Sequence, residues 1–400
     1  MIKEAGISIY LILFKICFAF FKIFPLKNKT VFLSSFGDNA YFLAKELARD
    51  NGHPIVFVNQ TRCKIDFSTI PAANKKIYAF ESINIVDTLF SIYHLATAKY
   101  VFVDNYAGVL SAVAFRKEVK CVQLWHAAGA IKKFGWSDPE TNARSARAKA
   151  RFQQVYDRFQ FIPVGSQQMA DIFSASFHVD QSHFLYTGVP QTDFYFDEEA
   201  KARGLERVKK AFPEANGKKV VLYAPTFRKD ALQKMELKLD IAKMLEELPD
   251  DVLILVRLHP SVHEAAKLPD HPRVLLVSEY PHLNELLLVS DILVTDYSSI
   301  PVEFSLLSKK MIFYTYDSES YGRTQGIWAE NNLYFPGPVA KTTSEVIRHI
   351  ADPEIDYAQI EDFRNHWNTY SNGHSTKQLI MSIYEEESRG HSVHTETHQA

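Results

Sequence analysis

Short, uninterrupted apolar runs recur along this chain, each followed by a turn and a helical stretch, and that alternation leaves few folds open. Residues 30–35 (TVFLSS), 54–59 (PIVFVN), 100–104 (YVFVD) and 119–125 (VKCVQLW) are apolar over most of their length. A strand with one face in water alternates polar and apolar residues. A strand with neither face in water does not, and such strands belong to parallel sheets covered on both sides. Helical patterns over 39–50, 82–98, 107–115, 144–159 and 167–173 separate these runs, with further strands expected at 76–80, 161–164 and 183–187. The plan then repeats. Strands are expected at 218–223 (KKVVLY), 252–257 (VLILVR), 273–277, 292–295 (ILVT) and 311–314 (MIFY), with helices near 241–248 and 283–289. Two serial α/β sheets predict two Rossmann-like domains facing a cleft. Helical spacing at 343–350, 360–367 and 375–386 completes the chain, before a polar tail.

The length of 400 residues suits two domains with an appendage. The expected organisation is a membrane-associating segment over 1–29, an acceptor domain over 30–190, a donor domain over 191–340, helices over 341–388 and a disordered tail over 389–400. A net charge of −2 carries no global basic field and argues against nucleic-acid binding. Cys17, Cys63 and Cys121 fit neither a disulfide framework nor a zinc spacing.

The first segment stands apart. Residues 7–24 (ISIYLILFKICFAFFKIF) are nearly all large and apolar, interrupted by Lys15 and Lys22 and flanked by Lys3, Lys27 and Lys29. No small-residue cleavage site follows, which argues against a signal peptide. A spanning helix needs about 20 apolar residues, and two lysines near its middle would cost several kcal/mol. Lying in the interface keeps both amines at the headgroups, so an amphipathic surface anchor is expected, strengthened by anionic membrane lipid. The basic stretch 144–158 would add to that attraction.

Ligands of open α/β sheets bind beyond the carboxyl ends of strands, and that rule selects the candidate residues. His126, in Leu124-Trp125-His126-Ala127-Ala128-Gly129, comes straight off a buried strand and can serve as a general base; Gly129 admits a close backbone approach. Arg257 and His259 alternate around Leu258 at the end of another strand, a pairing suited to a pyrophosphate. Thr295-Asp296-Tyr297-Ser298-Ser299 joins strand to helix, where free amides and small hydroxyls hold phosphate oxygens, and Glu303 follows within reach of ribose hydroxyls. Thr226 and Arg228 sit in Ala224-Pro225-Thr226-Phe227-Arg228 at a third strand end, with Arg228 as a phosphate clamp. Asp193 lies in Gly188-Val189-Pro190-Gln191-Thr192-Asp193, read as hinge and cleft lining.

Together these residues carry a resemblance. LWHAAGAIKKFGW (124–136), GVPQTDFY (188–195), YAPTFR (223–228), RLHP (257–260) and SDILVTDYSSIPVEF (290–304) resemble, in order, the motifs of the CDP-glycerol glycerophosphotransferases. The resemblance implies a GT-B fold, no cofactor and no obligatory metal. It is strongest to the members that prime wall teichoic acid. Those add one glycerol phosphate from CDP-glycerol to an undecaprenyl-diphosphate-linked disaccharide and release CMP at the cytoplasmic face of the membrane. By the same resemblance His126 is the base on the acceptor hydroxyl, His259 contacts the donor phosphates, and Ser298 and Ser299 bind phosphate. The chain departs from the pattern at 321–326, where Tyr321-Gly322-Arg323-Thr324-Gln325-Gly326 replaces an aromatic followed by Arg-Gly. The competing readings are a poly(glycerol/ribitol phosphate) polymerase of the same family, a nucleotide-sugar glycosyltransferase of the same fold, and a non-catalytic membrane-bound nucleotide sensor.

Overall fold

A computed structural model describes residues 2–50, 52–81, 84–226, 237–258, 268–319, 321, 326–328 and 335–384. The chain divides into two compact units. One holds the residues up to His126, Gly135–Asp193 and those from Tyr370 onward; the other holds Ala127–Phe134 and Phe194–Thr369.

The first unit is built on a parallel sheet of β1 (Lys27–Ser34), β2 (Ile55–Gln60), β3 (Lys75–Phe80), β4 (Ala98–Val103) and β5 (Lys120–Gln123), in the order β3-β2-β1-β4-β5. The register sets like beside like: Val31 faces Val56 on one side and Val101 on the other, and Phe32 faces Phe57 and Phe102. Those three phenylalanine rings are buried and stack in a row across one face of the sheet. A two-stranded ladder, β6 (Ile162–Pro163) with β7 (Phe184–Leu185), continues beyond β5 through the Val122–Phe161 bridge. The helices are α1 (Ile2–Phe21), α2 (Asp38–Leu47), α3 (Ile85–Ala96), α4 (Ala146–Tyr156) and α5 (Gln167–Phe177).

Residues 107–115 do not form the expected α-helix. Only a 3-10 turn, Gly108–Ala112, forms there. Its buried side chains are Val109 and Leu110, and a span this short offers no apolar stripe to hold a longer helix.

The amino-terminal helix α1 has two apolar stripes with different fates. Phe14 and Phe18 are buried, edge-on to Phe80 and Phe115, and Phe21 packs edge-on against Tyr93 of α3. Polar contacts pin both ends: Arg151 of α4 makes a bidentate pair with Glu4, Lys22 Nζ donates to the Ala114 carbonyl at 2.6 Å, and Arg116 donates to the Phe24 carbonyl at 2.8 Å. Ile9, Ile12, Leu13, Ile16 and Phe20 form the other stripe and are exposed. Helix α3, packed against α1, exposes Ile85, Val86, Leu89 and Phe90 as well.

The second unit repeats the architecture with β8 (Lys219–Tyr223), β9 (Val252–Val256), β10 (Val274–Leu276), β11 (Ile292–Thr295), β12 (Lys310–Tyr314) and β13 (Val339–Ala340). All are parallel, in the order β10-β9-β8-β11-β12-β13. Its helices are α6 (Glu198–Ala211), α7 (Ile241–Glu247), α8 (Leu283–Val289), α9 (Ile300–Phe304), α10 (Thr343–Ala351) and α11 (Tyr357–Trp367). Strands β8, β9 and β11 bury side chains on both faces, which is why their sequences do not alternate. The last described helix, α12 (Ser375–Tyr384), returns to the first unit. Leu379 and Ile383 join the α2 side of its core, and the Tyr384 hydroxyl meets Thr30 Oγ1 at 2.6 Å.

Candidate functional site

In each unit the candidate residues leave the carboxyl ends of neighbouring strands. In the first, Ser35 to Gly37 follow β1, Asp104 follows β4 and His126 follows β5, three strands side by side in the sheet.

The backbone before His126 is bent into a conformation that L-residues seldom adopt. Trp125 has φ +59°, a left-handed value costing about 1 kcal/mol or more unless its surroundings hold it. Its surroundings do. The Trp125 N–H donates to Gln123 Oε1 at 2.8 Å, and Asn39 Nδ2 donates to the carbonyls of Leu124 and Trp125 at 3.3 and 3.1 Å. Asn39 Oδ1 accepts from the Gln191 amide at 2.9 Å, so its amide is fully engaged, and the Trp125 indole rests against Phe173 and Phe177. This bend aims the imidazole. Phe36 lies parallel to the ring, with centroids 4.4 Å apart and planes 16° apart, and the Trp125 ring lies at the same distance, tilted 33°. Burial pulls the His126 pKa down to about 4. The Asp104 backbone carbonyl opposes that shift, and the Arg62 guanidinium adds to it. The ring is therefore neutral near pH 7, the protonation state a general base needs.

In the second unit Thr226 follows β8, Arg257 follows β9, and Asp296, Ser298 and Ser299 follow β11, again three adjacent strands. Asp296 is buried, and its Oδ1 accepts from the amides of Thr226 at 2.8 Å and Tyr297 at 2.7 Å. Thr295 Oγ1 donates to the Ala224 carbonyl at 2.7 Å, so the two strand-end turns are tied together twice. Ser298 and Ser299 are partly exposed at the start of α9. Ser299 occupies the cap position without a side-chain capping bond, while Ser298 Oγ accepts from the Ile300 amide at 3.1 Å. One edge of the Arg257 guanidinium is fixed by the Tyr280 carbonyl, 2.7 Å from Nη1.

Several residues read from the sequence as ligand contacts also have internal partners. Asp193 places one carboxylate oxygen on the Ser375 amide (2.9 Å) and the other on the Thr376 amide (2.8 Å), so it caps α12. Glu303 is buried, with the Tyr195 hydroxyl 3.4 Å from Oε1. Gly129 is needed for packing: a Cβ there would stand 2.6 Å from Val302 Cγ2 on α9. The stretch from Gly129 is stitched to its unit by Trp328 N–H donating to the Ile131 carbonyl and Lys133 N–H donating to that of Gly326. Arg228, His259 and Arg323 lie outside the described residues. No group of three potential metal ligands occurs among the described residues.

Asn39, Phe36 and Asp104 were not singled out by motif. Asp104 closes the apolar run YVFVD, the strand-end position that selected His126, and Phe36 and Asn39 flank the first glycine after β1.

The chain is 35% identical over 367 residues to the teichoic acid glycerol-phosphate primase of Bacillus spizizenii, covering 90% of this chain and 93% of that protein. It is 34% identical over 302 residues to the teichoic acid poly(ribitol-phosphate) polymerase of the same organism, covering 73% of this chain and 47% of the polymerase. Among solved structures, the wall teichoic acid polymerase TagF superposes with a TM-score of 0.81 at 18% identity, over 98% of this chain and 99% of that chain. That likeness shows the shared GT-B-like α/β fold. A model of the family described as CDP-glycerol:poly(glycerophosphate) glycerophosphotransferase matches residues 16–385, nearly the whole chain. The chain belongs to that family and is a glycerophosphotransferase of teichoic acid biosynthesis.

Proposed function

We propose that the enzyme performs a priming step: it moves one glycerol phosphate from CDP-glycerol to an N-acetylmannosaminyl-N-acetylglucosaminyl diphospho-undecaprenol acceptor and releases CMP. The observation that carries this reading is the likeness to a glycerol-phosphate primase, 35% identical over 367 residues.

In this reading Ser298 and Ser299 hold donor phosphate oxygens, with Thr226 beside them, while Asp296 and Glu303 keep those turns in shape. Arg257, with Arg228 and His259 assigned by family resemblance, neutralises the diphosphate. Neutral His126 takes the proton of the acceptor hydroxyl. The acceptor oxygen bonds to the phosphorus that bears glycerol, the bond from that phosphorus to the bridging oxygen breaks, and CMP leaves with the electron pair. Transfer of this kind depends mostly on positioning and charge stabilisation, which suits a site with few reactive side chains.

The enzyme works at the cytoplasmic face of the membrane with α1 lying along the surface. The packing of Phe14 and Phe18 supports this, since a spanning α1 would have to abandon both. The exposed stripes of α1 and α3 offer an apolar face to acyl chains, while the exposed Lys15 and Arg147 suit anionic headgroups.

Donor choice tests the reaction class. With the acceptor present, CMP should appear from CDP-glycerol and no UDP or GDP from sugar nucleotides. Release of UDP or GDP with sugar transfer would replace this reading with that of a glycosyltransferase.

A further inference from the structure

The turn after the first strand of a Rossmann-like sheet is where a nucleotide phosphate often rests, held by backbone amides. In this chain the protein's own carboxylate fills that turn. Asp104 is buried, and it accepts from three successive amides: Ser35 at 2.7 Å on Oδ1, then Phe36 at 3.0 Å and Gly37 at 2.8 Å on Oδ2. Burial pushes its pKa up, and the three amides and Arg62 work against that. The first-strand turn is thereby closed to a ligand phosphate and made rigid. Gly37, at φ +101°, lets the chain turn there, and a Cβ would press on Ile65 at 2.9 Å.

The held turn carries Phe36, whose ring lies parallel to His126, with the Arg62 guanidinium 5.2 Å from the phenyl centroid. The Asp104 side chain therefore fixes the platform on which the histidine ring stacks.

Resting on the reading of His126 as the base, we infer that Asp104 is a positioning residue for the transfer, fixing the orientation of that histidine through the Phe36 platform. The charged side chain that acts on the ring is Arg62.

The Asp104→Asn substitution keeps the volume but sets an NH2 group against backbone N–H donors, so part of the clamp is lost. The full chain is assayed with CDP-glycerol and a soluble disaccharide-lipid analogue. We expect kcat to fall about a hundredfold, the scale of a misplaced reacting group, with the donor KM within about twofold of normal. Nitrogen NMR on histidine-labelled enzyme, with His126 assigned by its loss in His126→Gln, should show the ring's titration midpoint rising in Asp104→Asn as the Phe36 platform loosens and water reaches the ring. A carboxylate that served only the fold would leave that midpoint in place. Phe36→Leu, which leaves the clamp intact, should lower kcat in the same direction by a smaller factor and decides the matter if Asp104→Asn does not fold. Unchanged kcat in either variant, or a rate loss with the original titration midpoint kept, overturns the inference. If His126→Ala still turns over, the base reading itself has failed. An inactive His126→Ala beside a fully active Asp104→Asn rejects only the positioning role.

Discussion

Lowering the pH from about 7 to about 5 probes the surroundings of His126 without altering a residue. The ring's pKa is drawn from 6.5 to about 4, chiefly by burial against Phe36 and Trp125. A shift of that size corresponds to about 3 kcal/mol disfavouring the imidazolium in the folded protein. The kcat/KM profile reports ionisations of the free enzyme, and a diphosphate diester stays ionised throughout this range. With a pKa near 4, about nine-tenths of His126 is still neutral at about pH 5, so kcat/KM should lose only about a tenth of its value through this group. An unshifted histidine would be about 3% neutral there, and the loss would be about thirtyfold. The assay is CMP release at subsaturating CDP-glycerol, in buffers of constant ionic strength. A profile halving near pH 6.5 would refute the account of the ring's environment. Stability should move in the opposite sense to a salt-bridged histidine. With the folded pKa depressed, the penalty is absent above about 6.5 and grows as pH falls toward 4, reaching about 2 kcal/mol by about pH 5. That loss should be missing in His126→Gln.

Three further outcomes follow from the packing and from the proposed roles. Gly129→Ala puts a methyl into Val302 and should cost about 1–3 kcal/mol, seen as a lower melting temperature, with Val302→Ala in the same chain restoring most of it. Replacing both Ser298 and Ser299 by alanine removes the hydroxyls assigned to the donor phosphates. It should weaken CDP-glycerol binding by calorimetry about tenfold or more while leaving melting within a few degrees, since Ser299 makes no capping bond and the lost bond from the Ile300 amide to Ser298 Oγ is worth about 1 kcal/mol. Ile12→Glu with Ile16→Glu charges the exposed stripe of α1 and should lower sedimentation with phosphatidylglycerol vesicles severalfold; retained sedimentation would remove α1 from the membrane contact.

Much of the architecture was legible because parallel strands announce themselves. The runs at 292–295 and 283–289 coincide with β11 and α8, and most other elements fall within a few residues of expectation. The stretch 107–115 misled because its apolar content suits a buried turn as well as a helix. Strand ends pointed to His126, Arg257, Thr226 and the serine pair, since topology alone places such residues at one end of a sheet. Their neighbours were not legible. That Asp104 closes on the Ser35–Gly37 amides depends on β4 lying beside β1, a pairing absent from local sequence. Asp193 shows the converse: its stretch read as hinge and cleft lining, while its carboxylate caps a helix some 180 residues further along the chain. A polar residue's type narrows what it can bond; only the fold selects the partner.

The proposed priming role requires that the enzyme add one glycerol phosphate and stop. Incubating the full chain with excess CDP-glycerol and a soluble analogue of the disaccharide lipid, then weighing the product by mass spectrometry, addresses it directly. A priming enzyme gives a single product heavier by one glycerol phosphate, with one CMP released for each acceptor consumed. A ladder of products spaced by that unit would contradict it and make the enzyme a polymerase.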